Sequence, residues 1–383
     1  MKVSVLMSVY NGEEYLQESI DSILNQTFSD FEFLIIDDCS TDNTWQILSQ
    51  YREKDPRIVL VKNSENLGLT KSLNKGLKLA QGQYIARQDA DDISFPQRFE
   101  KEVRVLDEQA DCVLVSCNIQ LIQGRDQKVI EVMHRSCSPE LVNWYLLFYN
   151  HVAGHSQVMY RRNDAIALGG YSEQWLYSED YELWCRFAKS KKKLVILPEV
   201  LLTYRQHNQS ISAQKAKKQE AYVTSLVQEN IEQLTHAKLK PEEIRVLVGF
   251  WKATLKIVSG DAYRRFPEAT QAEWLHQQLI EIKQSFVREY SSTSGVDLEA
   301  QINRAIGKQF LAWLQSPLTS RHSIWSKIQI SRYVFLWSPL NVPKGWLIWF
   351  LRFPSDSATS IFRKLQSLGQ ETKKLNIEGK PSA

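Results

Sequence analysis

The chain has 383 residues, 43% apolar and 24% charged, the balance of an ordinary globular protein with room for two domains, or one domain and a large appendage. Its net charge of +3 hides an asymmetry, because residues 301–383 carry +9 and the first 300 carry −6. Five scattered cysteines (Cys39, Cys112, Cys117, Cys137, Cys185) with no CxxC spacing exclude a zinc ribbon or a disulfide framework and fit a reducing cytosol.

The N-terminus, Met1-Lys2-Val3-Ser4-Val5-Leu6-Met7, runs straight into a strand without a cleavage site, so no signal peptide is expected and the expected compartment is cytoplasmic. Residues 3–10 form a near-continuous apolar run, as a strand buried on both faces requires. Asn11-Gly12 breaks it, and Glu13-Glu14 opens a helix with apolar residues at Tyr15, Leu16, Ile20, Ile23 and Leu24. Residues 31–36 are a second buried strand that ends in Asp37-Asp38. Ser40-Thr41-Asp42-Asn43-Thr44 is rich in N-cap residues, and a helix to about residue 51 follows. Residues 58–61 make a third strand, Asn66-Leu67-Gly68 turns into a helix over 70–80, and residues 82–88 make a fourth strand.

Strands alternating with helices predict an α/β domain with a parallel sheet covered on both faces. Ligands of such sheets sit outside the carboxyl ends of the strands. Ser8, Asp37-Asp38, Asn66 and Asp89–Asp92 all fall at those ends, so four loops point at one cleft. The cleft lacks GxGxxG and GxxxxGK[ST], so a phosphate there would be held by metal and not by a glycine cradle.

Gln88-Asp89-Ala90-Asp91-Asp92 crowds three carboxylates at the end of the fourth strand. Like charges this close need a cation among them. A hard divalent ion, Mn²⁺ or Mg²⁺, satisfies that need with one or two carboxylates plus phosphate oxygens. The alternative is a solvated acidic loop that caps the helix after Phe95-Pro96.

Residues 111–160 read as further strands with a connecting helix, 113–117 and 156–160 being the strands. Gly169-Gly170-Tyr171 is a turn. Residues 178–187 read as a helix with Ser178 as N-cap and Leu183, Trp184 and Phe187 toward the core. Glu179 and Asp180 then lie in its first turn, either to complement the macrodipole or as a general base at the rim of the cleft. Residues 194–197 form a strand ended by Pro198, residues 200–204 form another, and Arg205 to Ser210 is a polar loop leaving the domain.

These pieces, in order, make the first 212 or so residues resemble family 2 glycosyltransferases of the GT-A fold. The resemblance is carried by Ser4-Val5-Leu6-Met7-Ser8-Val9-Tyr10-Asn11, Ile36-Asp37-Asp38-Cys39-Ser40-Thr41-Asp42-Asn43-Thr44, Asn66-Leu67-Gly68, and Asp89-Ala90-Asp91-Asp92 with Pro96 and Arg98. It continues through Gly169-Gly170-Tyr171, Glu179-Asp180-Tyr181-Glu182-Leu183-Trp184, and Tyr204-Arg205-Gln206-His207 with Ser210. The resemblance implies transfer of a sugar from a nucleoside diphosphate donor, UDP being favoured over GDP or dTDP, with inversion at the anomeric carbon. The acceptor it implies is a glycan or a lipid-linked sugar of a cell-surface polysaccharide.

By position, the resemblance sets Ser8 and Tyr10 against the nucleoside and makes Asp38 the acceptor of a hydrogen bond from the base, with Asp37 beside it. Lys71 either reaches the base or diphosphate or is a solvated helix lysine. Asp89 and Asp91 match the Asp-x-Asp and are both candidates to hold the metal and the diphosphate, Asp91 being favoured for direct metal contact and Asp92 lying behind it. Asp180 matches the base, and Glu179 either holds the acceptor or shares that role. His207 either closes over the metal and diphosphate or is a surface histidine, and His155 either touches the acceptor or bonds the backbone. The Gln-x-x-Arg-Trp of processive synthases is replaced by Trp184-Cys185-Arg186-Phe187, which implies non-processive addition. A sugar-nucleotide pyrophosphorylase would want a glycine-rich basic loop where Asn11-Gly12-Glu13-Glu14 stands. A catalytically silent binding or scaffold protein would not need Asp38, Asp89, Asp91 and Asp180 all intact.

The expected domains are a glycosyltransferase domain over 1–212, with a nucleotide-binding half (1–105) and an acceptor half (106–212), and a helical region over 213–383. In that region residues 214–237, 241–259, 271–290 and 298–314 read as helices. Residues 324–353 interleave Trp325, Tyr333, Phe335, Trp337, Trp346, Trp349, Phe350 and Phe353 with Lys327, Arg332, Lys344 and Arg352. This suits peripheral contact with a membrane on its inner face, or packing onto the catalytic domain or onto a second subunit of a homo-oligomer. No apolar run approaches the roughly 20 residues that span a bilayer, and no nucleic-acid module accompanies the basic charge. After residue 370 the chain is polar and expected to fray.

Overall fold

A computed structural model describes residues 1–254, 266–290, 297–316 and 324–338. The chain forms two compact units, Met1–Ile302 and Asn303–Ala383. The first unit begins with β1 (Val3–Val9), α1 (Leu16–Leu24), β2 (Phe31–Asp37), α2 (Thr44–Lys54), β3 (Ile58–Lys62), α3 (Leu69–Leu79) and β4 (Tyr84–Arg87). Then come β5 (Ile93–Ser94), α4 (Arg98–Glu108), β6 (Cys112–Gln123), β7 (Asp126–Met133), α5 (Pro139–Leu146), β8 (Met159–Arg161) and α6 (Arg162–Ala167). The unit continues with α7 (Glu179–Lys189), β9 (Lys193–Gln206), α8 (Ile211–Gln214), α9 (Ala216–Thr235), α10 (Pro241–Lys252) and α11 (Ala272–Tyr290). In sequence, α12 (Leu298–Gln315) crosses the boundary between the units, and α13 (Ile324–Trp337) follows.

All strands join one sheet in the order β3-β2-β1-β4-β8-β6-β9-β5, with β7 added to β6. The first four run parallel, as the strand–helix alternation predicts. Beyond β4 the sheet is mixed, because β8 lies antiparallel to both β4 and β6. The register brings Val9 level with Asp37, Asp37 level with Lys62, and Leu6 level with Arg87. The carboxyl ends of β1, β2, β3 and β4 therefore open on one edge.

Val3, Val5, Met7 and Val9 of β1 pack with Leu16, Ile20 and Ile23 of α1 and Phe99 of α4, all buried. Each such side chain contributes roughly 1.5–3 kcal/mol on leaving water. This layer is what holds the acidic strand ends rigid. On the other face Gly76 lets α3 lie on β1, since a Cβ there would come within 2.2 Å of Leu6 Cδ1.

Two expectations fail. Arg205 and Gln206, expected in the polar loop leaving the domain, are the last residues of β9, and Arg205 is buried. Pro198 does not end a strand, because β9 is continuous across it. The pairing of β6 with β9 jumps from Cys117↔Leu197 to Asn118↔Val200, so Pro198 and Glu199 bulge out of register. A bulge is where a sheet tolerates proline, which has no N–H for the ladder. The Asn118 amide donates to the Pro198 carbonyl at 2.7 Å and closes the bulge. The two-residue β5 and the eight-residue β7 carry no signal that sequence reasoning used.

The helical expectations hold in part. Helix α10 stops at Lys252, and the remainder of the expected 241–259 helix from 255 on lies outside the described residues. In the second unit the Tyr333 ring packs at 5.4 Å on Phe310, whereas Phe335 is half exposed. Residues 339–353 of the aromatic segment, and the tail after 370, lie outside the described residues. Among the described residues no helix is long and apolar enough to cross a membrane. All five cysteines are free.

Candidate active site

The loops after β1 and β2 are stitched to each other. Asn11 accepts a hydrogen bond from Thr41 N (2.8 Å) and donates its own N–H to Ser40 Oγ (3.0 Å). Gly12 N donates to Thr44 Oγ1 at 2.9 Å. Ser8 and Tyr10 stand at the end of β1, and the Tyr10 ring is half exposed.

Asp38 is buried and almost fully engaged. Its Oδ1 accepts from Asn63 Nδ2 (2.7 Å), Leu67 N (2.9 Å) and Ser72 Oγ (3.0 Å), and its Oδ2 from Gly68 N (2.8 Å). The carboxylate thus folds the Asn66-Leu67-Gly68 turn, with Gly68 at φ +84°, a conformation that suits glycine. Only Oδ2 keeps a free lone pair. Asp37 accepts from Ser40 N at 3.2 Å, and its Oδ2 has only the Lys62 ammonium near it, at 3.8 Å. Asn66 and Lys71 are exposed on the rim, and among the described residues neither side chain has a hydrogen-bond partner. Sequence reasoning missed Asn63 and Ser72. Asn63 directly follows β3 and Ser72 lies in the first turn of α3, and neither position carries a pattern that singles it out.

The acidic loop rests on three buried arginines. Arg87 spans from the Leu6 and Gln88 carbonyls to the Asp89 carboxylate. Burial is the largest influence on Asp89 and works against its ionisation, but the Arg87 guanidinium, the nearby His155 and the hydrogen bonds from Ser156 and Arg87 together outweigh it and hold the carboxyl below the ordinary carboxylate range. Arg98 donates to Gln88 Oε1 (3.1 Å), Ser94 Oγ (2.9 Å) and the Arg87 carbonyl (2.9 Å), fixing the strand end from below. Arg205 donates from Nε to the Asp91 carbonyl (3.0 Å) and from its guanidinium to Gly124 O and Glu18, while its backbone N–H donates to Asp92 Oδ1 (3.0 Å). Asp92 is buried, and burial with the neighbouring Asp91 and Asp89 charges raises its carboxyl well above the ordinary range. It supports the loop from inside.

His207, at the end of β9, comes back over this loop. Its Nε2 lies 2.8 Å from Asp91 Oδ2, and its ring packs at 5.0 Å on Tyr15. The structure thus brings Asp91 and His207 together as a pair, while Asp89 is held by Arg87. Among the described residues no three His, Cys, Asp or Glu side chains converge as a metal cluster. The Asp91 carboxylate nevertheless fits a hard divalent ion such as Mn²⁺ or Mg²⁺ that draws its other ligands from a diphosphate and water, and the His207 imidazole lies beside it.

Across the cleft, Glu179 and Asp180 open α7. Ser178 occupies the N-cap position but makes no side-chain cap bond. Asp180 accepts from Asn150 Nδ2 at 3.1 Å. Burial raises the Asp180 carboxyl to about 6, and the Asp89 charge adds to it. Burial, with the Asp180 charge next, raises Glu179 to about 7. The influence of Asp89 on both carboxyls puts the acidic loop and the start of α7 in one electrostatic neighbourhood. Asn150 was not anticipated from the sequence. His155 bonds Tyr171 Oη at 2.9 Å, and burial beside Arg87 pushes its pKa far below the ordinary value, so its imidazole is neutral.

A glycosyl transferase family 2 model matches residues 4–165. An uncharacterized glycosyltransferase of Methanocaldococcus jannaschii is 36% identical over 57% of this chain and 76% of its own length. The UDP-Glc:alpha-D-GlcNAc-diphosphoundecaprenol beta-1,3-glucosyltransferase WfaP of Escherichia coli is 30% identical over 56% of this chain and 81% of its own. Among solved structures, S. aureus TarS 1-349 in complex with UDP-GlcNAc shares the fold, with a TM-score of 0.52 and 17% identity over 90% of this chain and 92% of that one. The sheet with flanking helices is the GT-A type α/β arrangement expected from the sequence, and the chain belongs to glycosyl transferase family 2 and is a glycosyltransferase.

Proposed function

We propose that the protein is an inverting, divalent-metal-dependent glycosyltransferase that moves a sugar from a UDP-sugar to a hydroxyl of a lipid-linked or growing glycan of a cell-surface polysaccharide, without processivity. The observation that carries this reading is a raised, half-buried carboxyl, Asp180, in the electrostatic reach of Asp89, which lies two residues from the Asp91 that pairs with His207. The E. coli relative supports the donor and acceptor classes, since its name gives UDP-Glc and a diphosphoundecaprenol-linked sugar.

In this reading Asp180 takes the proton of the acceptor hydroxyl as its oxygen attacks the anomeric carbon. The bond from that carbon to the diphosphate breaks, and its electron pair leaves on the phosphate oxygen. Asn150 holds the Asp180 carboxylate by one oxygen and leaves the other for the proton. Glu179, protonated more readily, positions the acceptor. Asp91 and His207 hold the metal, and Mn²⁺ or Mg²⁺, when bound, supplies charge stabilisation to the departing diphosphate. Asp38, with Asp37 beside it, binds the base through its remaining lone pair, and Ser8 and Tyr10 line the nucleoside. Asn66 and Lys71 stand at the rim. Residues 1–105 and 106–212 are the nucleotide and acceptor halves of this catalytic domain, and 324–353 is a peripheral membrane contact.

The test is a thermal-shift screen of the full chain against UDP, GDP and dTDP and their sugars, with and without Mn²⁺, followed by turnover of Asp180→Asn. A Mn²⁺-dependent rise with UDP is expected, because a ligand of the folded state raises the melting temperature. Turnover should fall at least about a thousandfold in Asp180→Asn, toward the upper part of what a general base contributes. Unchanged turnover in that variant would sink the assignment of the base.

A further inference from the structure

The loop between α6 and α7 carries Trp175-Leu176-Tyr177 immediately before Ser178 and the Glu179-Asp180 pair. None of the three belongs to the buried core: Trp175 and Tyr177 are half buried and Leu176 is 42% exposed. Tyr222, also half buried, faces the loop from α9. Its ring centroid lies 6.4 Å from that of Trp175 and 6.5 Å from that of Tyr177, with interplanar angles of 68° and 59°. Neither pair stacks face to face, and all three residues keep part of their surface in solvent.

The backbone at Tyr177 is unusual. Its φ is +66°, in the left-handed region. A bulky aromatic residue there is strained, and such strain persists only where the surroundings enforce it. Here they do. The Tyr177 carbonyl accepts a hydrogen bond from Gln219 Nε2 at 2.9 Å, and Ser178 N closes a turn onto the Trp175 carbonyl at 3.1 Å. A loop that only joined two helices would carry glycine or asparagine at such a position. The strain keeps an aromatic ring beside Tyr222 and three residues from Asp180, so the two Cα atoms are at most about 11 Å apart.

We infer that Trp175, Tyr177 and Tyr222 form the subsite for a pyranose ring of the acceptor glycan, beside Asp180. The inference rests on the reading of Asp180 as the base and says where the acceptor sits. Pyranose rings have apolar C–H faces and polar edges. Aromatic faces match the former, and polar side chains at the margin match the latter. Glu173, Gln174, Gln219 and Glu220 supply that margin. The same interleaving disfavours an acyl or prenyl tail, which would leave these groups against hydrocarbon.

The experiment titrates the full-length protein, with and without UDP and Mn²⁺, with the methyl pyranosides of glucose, galactose, mannose and N-acetylglucosamine, and with octyl glucoside. Binding is read by saturation-transfer NMR. At least one methyl pyranoside should bind. Trp175→Ala and Tyr222→Ala, on two separate elements, should each weaken it about tenfold, as loss of a stacked aromatic face predicts. Trp175→Phe should retain most of the affinity, and Tyr177→Gly, which suits the left-handed backbone, should lose it without unfolding. The UDP-dependent melting shift should be the same in all four variants. Absence of methyl pyranoside binding overturns the inference, as does binding that survives both alanine variants, or binding of octyl glucoside alone. Failure of the donor reading is distinguishable, because it is read by absence of a UDP shift in the unsubstituted protein while pyranoside binding persists.

Discussion

His207 Nε2 and Asp91 Oδ2 stand 2.8 Å apart although 116 residues separate them in the chain. The contact ties the end of β9 to the acidic loop and places an imidazole nitrogen beside the Asp91 carboxylate. His207→Ala should therefore weaken Mn²⁺ binding by roughly 10–100-fold, the range seen when a site loses a metal-orienting partner. The check is the Mn²⁺ concentration needed for half of the UDP-dependent melting shift. An unchanged midpoint would remove His207 from the metal site and leave it a loop histidine packed on Tyr15.

Arg205 predicts a stability effect. Its buried guanidinium joins α1 through Glu18, the β6–β7 turn through Gly124 and the acidic loop through the Asp91 carbonyl. Arg205→Lys keeps the charge but cannot make three divergent hydrogen bonds from one planar group. The expected cost is roughly 2–3 kcal/mol, since hydrogen bonds to charged groups are worth about 1.5–3 kcal/mol and not all of them are lost. Urea unfolding measures it, with a lower midpoint at an unchanged slope as the expected result.

The start of α7 predicts a pH dependence. Burial raises Asp180 to about 6, with the Asp89 charge adding to it, and raises Glu179 to about 7, with the Asp180 charge adding to it. A base must be ionised, so kcat/KM should rise with pH along a limb belonging to the pair, between roughly 6 and 7. Stability runs the other way. In the unfolded chain these carboxyls titrate near pH 4, so between about 4 and 7 the folded state holds more protons, and stability falls as pH rises through that window. Asp180→Asn removes the buried charge. It should raise the melting temperature at pH 7.5 while abolishing turnover, and the gain should vanish near pH 4. A variant equally destabilised at both values would show that Asp180 is held by structure and not strained for chemistry.

Much of this site can be anticipated from local pattern, and the remainder cannot, for a physical reason. The strand ends at Ser8, Asp37-Asp38 and Asp89–Asp92 are legible because apolar runs end abruptly in polar residues, and parallel topology then gathers those ends. Glu179-Asp180 is legible as an acidic first turn. What pattern does not give is which carboxylates are already satisfied. Asp38 and Asp89 look like free acids in the sequence, yet one is wrapped by Asn63, Leu67, Gly68 and Ser72 and the other is paired with Arg87. The partners of Asp38 come from the segment after β3 and the first turn of α3, 25 to 34 residues away, so no local window contains them. Arg87 lies only two residues before Asp89, but its pairing depends on where the fold turns the guanidinium. The continuous β9 was missed for the same reason, because the bulge that admits Pro198 depends on Asn118 in another strand.

Asp38 gives the prediction that best separates architecture from binding. Asp38→Ala strands the N–H groups of Leu67 and Gly68 and the amide of Asn63, a loss of roughly 2–4 kcal/mol if they stay buried. It also removes the lone pair assigned to the nucleotide base, so nucleotide affinity should fall with stability. Ser72→Ala removes a single donor and keeps the carboxylate, so it should cost about 1 kcal/mol and leave UDP affinity within about twofold. Isothermal titration with UDP and Mn²⁺, alongside urea unfolding, resolves the two effects. If Asp38→Ala loses stability yet binds UDP as before, the carboxylate only folds the turn, and Asp37, whose Oδ2 has only Lys62 near it, becomes the residue to test against the base.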